Sequence, residues 1–315
     1  MIKPPPRRTL SAAALAAAAL TLTACGSGSS SLPSTSGTSG PNPTAYQQVI
    51  DAAPVAAPAD IPAGSLMATI KARGQFVEGG TDTAAVFSLT DPMTGKTTGF
   101  DAGLAAMLAK YITGKPAVKL TQVQVASREA LLQNGAVDTV IATYTITPAR
   151  AQKVGFAGPY YSSGDAILVR KGDTAITKAA DLNGKTVCTE SSSTAAQDIK
   201  QFAPSAKLML FDGNAECVQA VEQGRADAYV LDQALLLGDA YREPDKVTVV
   251  GQPFTAEPYG IGVPLNHPEM KAFVDDWLKK IEADGEWAKL WQATIGAALH
   301  GSAPTPPAVG SVPGS

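Results

Sequence analysis

The sequence predicts an α/β fold in two similar lobes, each built on a mostly parallel sheet, and two observations carry that expectation. Between about residues 65 and 298, short apolar strands alternate with amphipathic helices. A helix-to-strand unit also recurs. Leu132-Gln133-Asn134-Gly135-Ala136-Val137-Asp138 leads into Thr139-Val140-Ile141, and Val221-Glu222-Gln223-Gly224-Arg225-Ala226-Asp227 leads into Ala228-Tyr229-Val230. Gly135 and Gly224 stand the same distance apart as Asp138 and Asp227. In each copy a glycine closes a helix and an aspartate precedes a buried strand. One such unit in each half points to two lobes; the alternative is a pair of generic helix-to-strand turns.

The elements follow in order. Asp101 is placed to cap a helix whose Leu104, Met107, Leu108 and Tyr111 recur at helical spacing, and Gly114 and Pro116 stop it. Ser127 to Asn134 reads as a short helix ending at Gly135, and Val137 to Ala142 as an apolar strand. Ile167 to Val169 reads as a further strand. Gly184 to Thr189 is another, followed by the polar loop Ser191-Ser192-Ser193-Thr194 and a new helix. The last long helix carries Phe273, Val274, Trp277, Leu278 and Ile281, then Trp287, Leu290 and Trp291.

Both ends are compositionally different. Residues 1–24 begin with Lys3, Arg7 and Arg8 and continue into an Ala/Leu-rich run, the layout of an export signal and too short to span a bilayer. The run ends Leu22-Thr23-Ala24-Cys25-Gly26, which resembles the lipobox of bacterial lipoproteins. That resemblance implies cleavage before Cys25 and a lipid on its sulfur, which anchors the chain to the cell membrane from the outer face; the alternative is an ordinary secretory signal. Residues 25–64 are biased to Gly, Ser, Pro and Ala and are expected to be a disordered linker, and residues 299–315 a disordered tail. With Cys25 taken by lipid, Cys188 and Cys217 remain as a disulfide pair or as two separate buried thiols. No CxxC spacing exists, and His267 and His300 lie far from both, so no metal and no cofactor are expected.

The 315 residues are 45% hydrophobic with a formal net charge of −3, which excludes the clustered basic excess that nucleic acid requires.

Further along, the chain resembles the amino-acid-binding proteins that feed ABC importers (solute-binding family 3). The matching stretches are Thr98-Gly99-Phe100-Asp101, the segment from Leu131 to Asp138, Tyr144-Thr145-Ile146-Thr147-Pro148-Ala149-Arg150, Phe156-Ala157-Gly158-Pro159-Tyr160-Tyr161, Asp181-Leu182-Asn183-Gly184-Lys185 and Pro258-Tyr259-Gly260-Ile261-Gly262. The resemblance implies the two-lobed fold of periplasmic-binding-protein type II, with hinge strands near Tyr160–Gly164 and Thr255–Tyr259. Lobe 1 is then 65–160 plus 259–298, and lobe 2 is 161–258. It further implies that Arg150 grips the ligand's α-carboxylate, as a planar guanidinium does well. Thr145 helps to hold the α-amino and carboxylate groups, Thr143 supplies a backbone contact, and Asp232 receives the α-ammonium. Ser193 and Thr194 stand at a strand-to-helix turn whose free amides suit an anion. Arg128 matches an arginine that faces the side-chain carboxylate in relatives selective for glutamate and aspartate; these are the favoured ligands, with asparagine and glutamine next. Where such relatives place an aromatic to cover the ligand, this chain has Thr81 to Phe87.

On this reading the protein is a receptor, monomeric and not an enzyme, that closes on a polar amino acid and delivers it to an ABC transporter permease. Two rivals keep the fold: a ligand-sensing subunit that signals to a membrane kinase, and a dehydratase for prephenate-like acids, for which Glu190 is the one acid suitably placed.

Overall fold

The computed structural model describes residues 42–315; the expected export signal, Cys25 and the first part of the expected linker lie outside the described residues. The chain begins with α1 (Pro43–Ala52), then α2 (Leu66–Arg73), β1 (Phe76–Gly80) and a small sheet of β2 (Thr83–Ala84), β3 (Ser88–Thr90) and β4 (Thr97–Thr98). There follow α3 (Phe100–Thr113), β5 (Val118–Gln122), α4 (Arg128–Gln133), β6 (Thr139–Val140), α5 (Pro148–Ala151) and the long strand β7 (Gly155–Ser163). The second half runs β8 (Asp165–Arg170), β9 (Thr186–Glu190), α6 (Ala195–Phe202), β10 (Lys207–Phe211), α7 (Asn214–Glu222), β11 (Ala228–Asp232), α8 (Gln233–Arg242) and β12 (Val247–Val250). The chain returns through β13 (Glu257–Val263) to α9 (Pro268–Ala283) and α10 (Glu286–Trp291).

Two five-stranded sheets result, in the orders β5-β1-β6-β13-β7 and β10-β9-β11-β8-β12. Each is mixed, with two parallel and two antiparallel pairings, where the sequence suggested mostly parallel sheets. The reason lies in the connections. β7 runs out of the first sheet and turns at Gly164 into β8 of the second, while β13 returns beside it in the opposite sense, with Tyr259 opposite Tyr161 and Glu257 opposite Ser163. These two adjacent strands are the passage between the lobes.

The repeated sequence unit does the same work twice. Gly135 and Gly224 both take left-handed backbone, φ +69° and +71°, which only glycine adopts without strain. Asp138 Oδ2 accepts from the Val77 amide at 2.7 Å, while Asp138 N donates to Val77 O at 2.8 Å. Asp227 repeats both bonds with Thr186, at 2.8 Å each. In each lobe, therefore, one aspartate pins a sheet's central strand to its parallel neighbour.

Other segments depart from the sequence reading. The stretch expected to be a linker through residue 64 contains α1, started by Asn42, whose side chain accepts from the Thr44 amide at 2.9 Å, with Pro43 in the first turn. Tyr46, Val49 and Ile50 fall on one face and pack onto the first lobe's core. The tail also lies on the body: Gly310 N donates to Gly158 O at 2.8 Å, and Val312 packs against the small core cluster that includes Ile146 and Val154. In both cases a few apolar residues within a proline-rich composition are enough to dock the segment. The final helix is broken at Gly285, φ +76°, which separates α9 from α10; Trp287 then donates to Tyr160 O at 2.9 Å and fixes α10 against the start of the hinge.

Cys188 of β9 and Cys217 of α7 form a disulfide with Cα atoms 5.5 Å apart, both fully buried. It ties the strand ending in Glu190 to the helix beginning at Asn214.

Candidate ligand-binding site

The first lobe's contribution is the loop after β6. Its backbone is held by Asp101, which lies within the first turn of α3 and not at its cap, a place that Gly99 takes with φ +137°. Asp101 is buried, and its carboxylate accepts from the Thr143 amide and the Tyr160 hydroxyl, each at 2.8 Å. Burial pushes its pKa up to about 7, against the pull of those two bonds and of Arg128. Thr143 itself sits at φ +44°, a conformation uncommon for any residue but glycine and one expected where surroundings over-determine the backbone.

Tyr144 turns its ring inward, 1% exposed, and packs edge-on against Phe156 with centroids 4.7 Å apart. The Arg128 guanidinium lies 4.5 Å from its ring centroid and that of Arg150 5.2 Å. Each arginine is steadied by one bond to the same loop. Arg128 donates to Ala142 O at 3.0 Å, and Arg150 donates to Thr145 O at 2.9 Å. The rest of each planar fork is left for an anion. Arg128 is 6% exposed with Nε unpartnered, and burial, then the charge of Arg150, lowers its pKa to about 10. It is not the solvated helix-start arginine that its position would otherwise suggest. Two cations beside one buried ring form a strongly anion-seeking surface.

The second lobe supplies the opposing face. Arg150 reaches it, with Nη2 3.5 Å from Ser192 O. Ser192 stands at φ +64°, so the serine-rich turn takes left-handed backbone that favours glycine. Ser193 and Thr194 are at this turn, but their hydroxyls serve the fold. Ser193 Oγ donates to Glu190 O at 2.7 Å and accepts from the Ala196 amide at 3.1 Å, capping α6, while Thr194 Oγ1 donates to Glu257 Oε2 at 3.0 Å. Asp232 ends β11, 5% exposed, with Oδ1 unpartnered; burial, then the charge of Glu257, raises its pKa to about 7.

A cavity of ≈ 210 Å³ opens between the two faces, lined by Arg128, Ala142 and Thr143 from one lobe and by Glu190 and Asn214 from the other. Of the seven residues singled out from the sequence, the cavity brings together Arg128 and Thr143, while Arg150, Thr145, Ser193, Thr194 and Asp232 lie outside that lining. Thr81, Thr83 and Ala84 line the cavity from the segment after β1, whereas Phe87 is buried against Phe100, Tyr161 and Tyr259. The principal residue that sequence reasoning left without a binding role is Glu190. It is half-buried by surface area and enclosed by the cavity walls, and desolvation raises its pKa to about 7 in spite of Arg128. The signal was present only as an acid at the end of a strand.

Residues 78–297 match the family model of bacterial extracellular solute-binding proteins, family 3. The chain belongs to this family. It is 34% identical over 231 residues to the ABC transporter glutamine-binding protein GlnH of Bacillus subtilis, covering 73% of this chain and 84% of that one. Among solved structures, an ancestral arginine-binding protein bound to glutamine superimposes with a TM-score of 0.67 at 35% identity, covering 71% of this chain and 99% of its own. An ancestral amino-acid-binding protein described as a precursor of cyclohexadienyl dehydratase gives 0.68 at 35% identity, covering 73% and 100%.

Proposed function

We propose that this chain is an extracytoplasmic receptor, held to the membrane through lipidated Cys25, that captures a polar amino acid by closure of its two lobes and hands it to an ABC transporter permease. The observation that carries this reading is the pair of guanidiniums beside Tyr144, with the carboxyl groups of Glu190 and Asp232 near Arg128. Arg150 takes the ligand's α-carboxylate with Thr145 and the Thr143 backbone beside it. Asp232 takes the α-ammonium, and the Ser193–Thr194 turn closes over the pair. A zwitterion thereby meets opposite charge at both ends, and exclusion of water strengthens those contacts.

Side-chain preference follows from the cavity. Arg128 alone favours glutamate or aspartate. With Glu190 in the same cavity, a carboxamide is the better match, because its oxygen accepts from Arg128 and its NH2 donates to Glu190. Glutamine therefore ranks first at and above neutral pH, and glutamate competes when Glu190 is protonated. Calorimetric titration with glutamine, glutamate, asparagine, aspartate and arginine tests this. Micromolar glutamine binding supports it, and no heat with any of the five refutes it.

A second reading draws on Glu190 alone. A buried carboxyl raised to about 7 has the profile of a general acid, and the fold is shared with a dehydratase precursor. Turnover of a prephenate-like acid, lost in Glu190→Gln, would favour it; binding of amino acids without turnover favours the receptor.

A further inference from the structure

We infer that Asp165, Asp198 and Glu257 form a binding site for a hard divalent cation, calcium above magnesium, where the hinge strands enter the second lobe. The three residues come from separate elements: Asp165 opens β8, Asp198 lies on α6 and Glu257 opens β13. One carboxylate oxygen of each lies within 4.8 Å of the others. Oxygens within that limit can surround an ion with calcium-to-oxygen distances of about 2.3–2.6 Å, and calcium accepts an irregular ligand set where magnesium demands a near-ideal octahedron at about 2.0–2.1 Å.

Two observations beyond the cluster's composition point to a ligand. Asp165 is wholly buried, and neither of its carboxylate oxygens has a hydrogen-bond partner outside the cluster. Asp232, from another strand, stands directly opposite Asp165 in the antiparallel β11–β8 pair, so both side chains project from the same sheet face. Its Oδ1 is also buried and unpartnered. None of the four carboxylates makes an ion pair with a basic side chain among the described residues. The rest of the site is built to hold oxygens in place. Thr255 Oγ1 accepts from the Asp165 amide at 2.8 Å and lies 3.3 Å from Glu257 Oε1, while Thr194 fixes Oε2. Carboxyls buried this close together need either protons or a countercharge, and a cation bound by all three residues supplies the countercharge. Such an ion also joins β13 to α6 and β8, fastening one end of the hinge to the second lobe.

The test uses the mature chain, stripped with a chelator and free of amino acid, at neutral pH. Calcium chloride titrated calorimetrically should bind one ion per chain and raise the thermal midpoint, with magnesium chloride giving the smaller rise. Asp198→Asn, at a half-buried position, should keep the ion-free midpoint and weaken calcium binding at least about tenfold, the loss of one charged ligand. Asp165→Asn should abolish the response, since it removes the buried ligand at the centre of the cluster. No heat and no shift with millimolar calcium would overturn the inference, as would a calcium response unchanged in both variants. If Asp165→Asn stabilises the chain while calcium does nothing, protons and not a cation hold the cluster together, and the inference is wrong.

Discussion

Glu190 gives the account its sharpest quantitative consequence. Glutamate carries an ionised side chain throughout the neutral range, so it can share the cavity with Arg128 and Glu190 only when Glu190 holds a proton. With the Glu190 pKa at about 7, each further pH unit above it costs glutamate about 1.4 kcal/mol, a factor of about ten in affinity. Between pH 6 and pH 8 the dissociation constant for glutamate should therefore rise about tenfold. Glutamine should change little, because its NH2 donates to the carboxyl in either state. Glu190→Gln removes the titrating group, so the variant should bind glutamate with a flat pH profile and, at pH 8, about tenfold more tightly than the unaltered chain. Isothermal titration of both ligands at pH 6, 7 and 8 supplies all the numbers. A glutamate affinity that holds steady or strengthens on raising the pH would refute the reasoning, as would a pH dependence that persists in Glu190→Gln.

Three further outcomes are expected. Arg150→Ala should weaken every amino-acid ligand at least about 30-fold, since truncating one side of a buried charge pair costs about 2–5 kcal/mol, while the thermal midpoint stays near that of the unaltered chain. Reducing the Cys188–Cys217 bridge, or replacing both residues by serine, should lower stability by about 3–4 kcal/mol for a loop of this length, measured by denaturant unfolding. The pH dependence of the ligand-free chain should run opposite to that of a protein held by exposed ion pairs. Asp101, Glu190, Asp232 and Asp239 all have pKa values raised to about 7 on folding, so the folded state binds protons more tightly than the unfolded chain. Their contribution is full below about pH 4 and is lost as the pH rises through 7, so the thermal midpoint should fall from pH 5.5 to pH 8. A midpoint that climbs over that interval would show these carboxyls to be ionised and well paired.

Much of the fold was legible in the sequence because it depends on local chemistry. Gly135 and Gly224 mark left-handed helix ends, and Asp138 and Asp227 mark the strands they pin, so the repeat could be read without coordinates. The position of Arg150 beside the loop after β6 was legible too, since it sits in a contiguous motif with Thr145. What could not be read depends on long-range placement. Asp101 looked like a helix cap, and only the packing of α3 against the loop after β6 makes it the support of Thr143. Asp165 and Glu257 are separated by most of a lobe in sequence and meet because the two hinge strands run side by side. Ser193 and Thr194 were read for the amides of their turn, and what the sequence did not show is that their hydroxyls are engaged inside the fold. The helix at Pro43–Ala52 was hidden by its proline-rich flanks, although Tyr46, Val49 and Ile50 keep helical spacing.

The most direct test of the central claim is calorimetric titration of the mature chain with glutamine, glutamate, asparagine, aspartate and arginine, run beside Arg150→Ala and Arg128→Ala. One site per chain is expected, with micromolar affinity led by glutamine at neutral pH, weakening of every ligand by at least about 30-fold in Arg150→Ala and loss of side-chain discrimination in Arg128→Ala. Tight binding of arginine with no response to glutamine or glutamate would contradict the assigned cavity. The absence of heat with every one of the five would contradict the receptor itself.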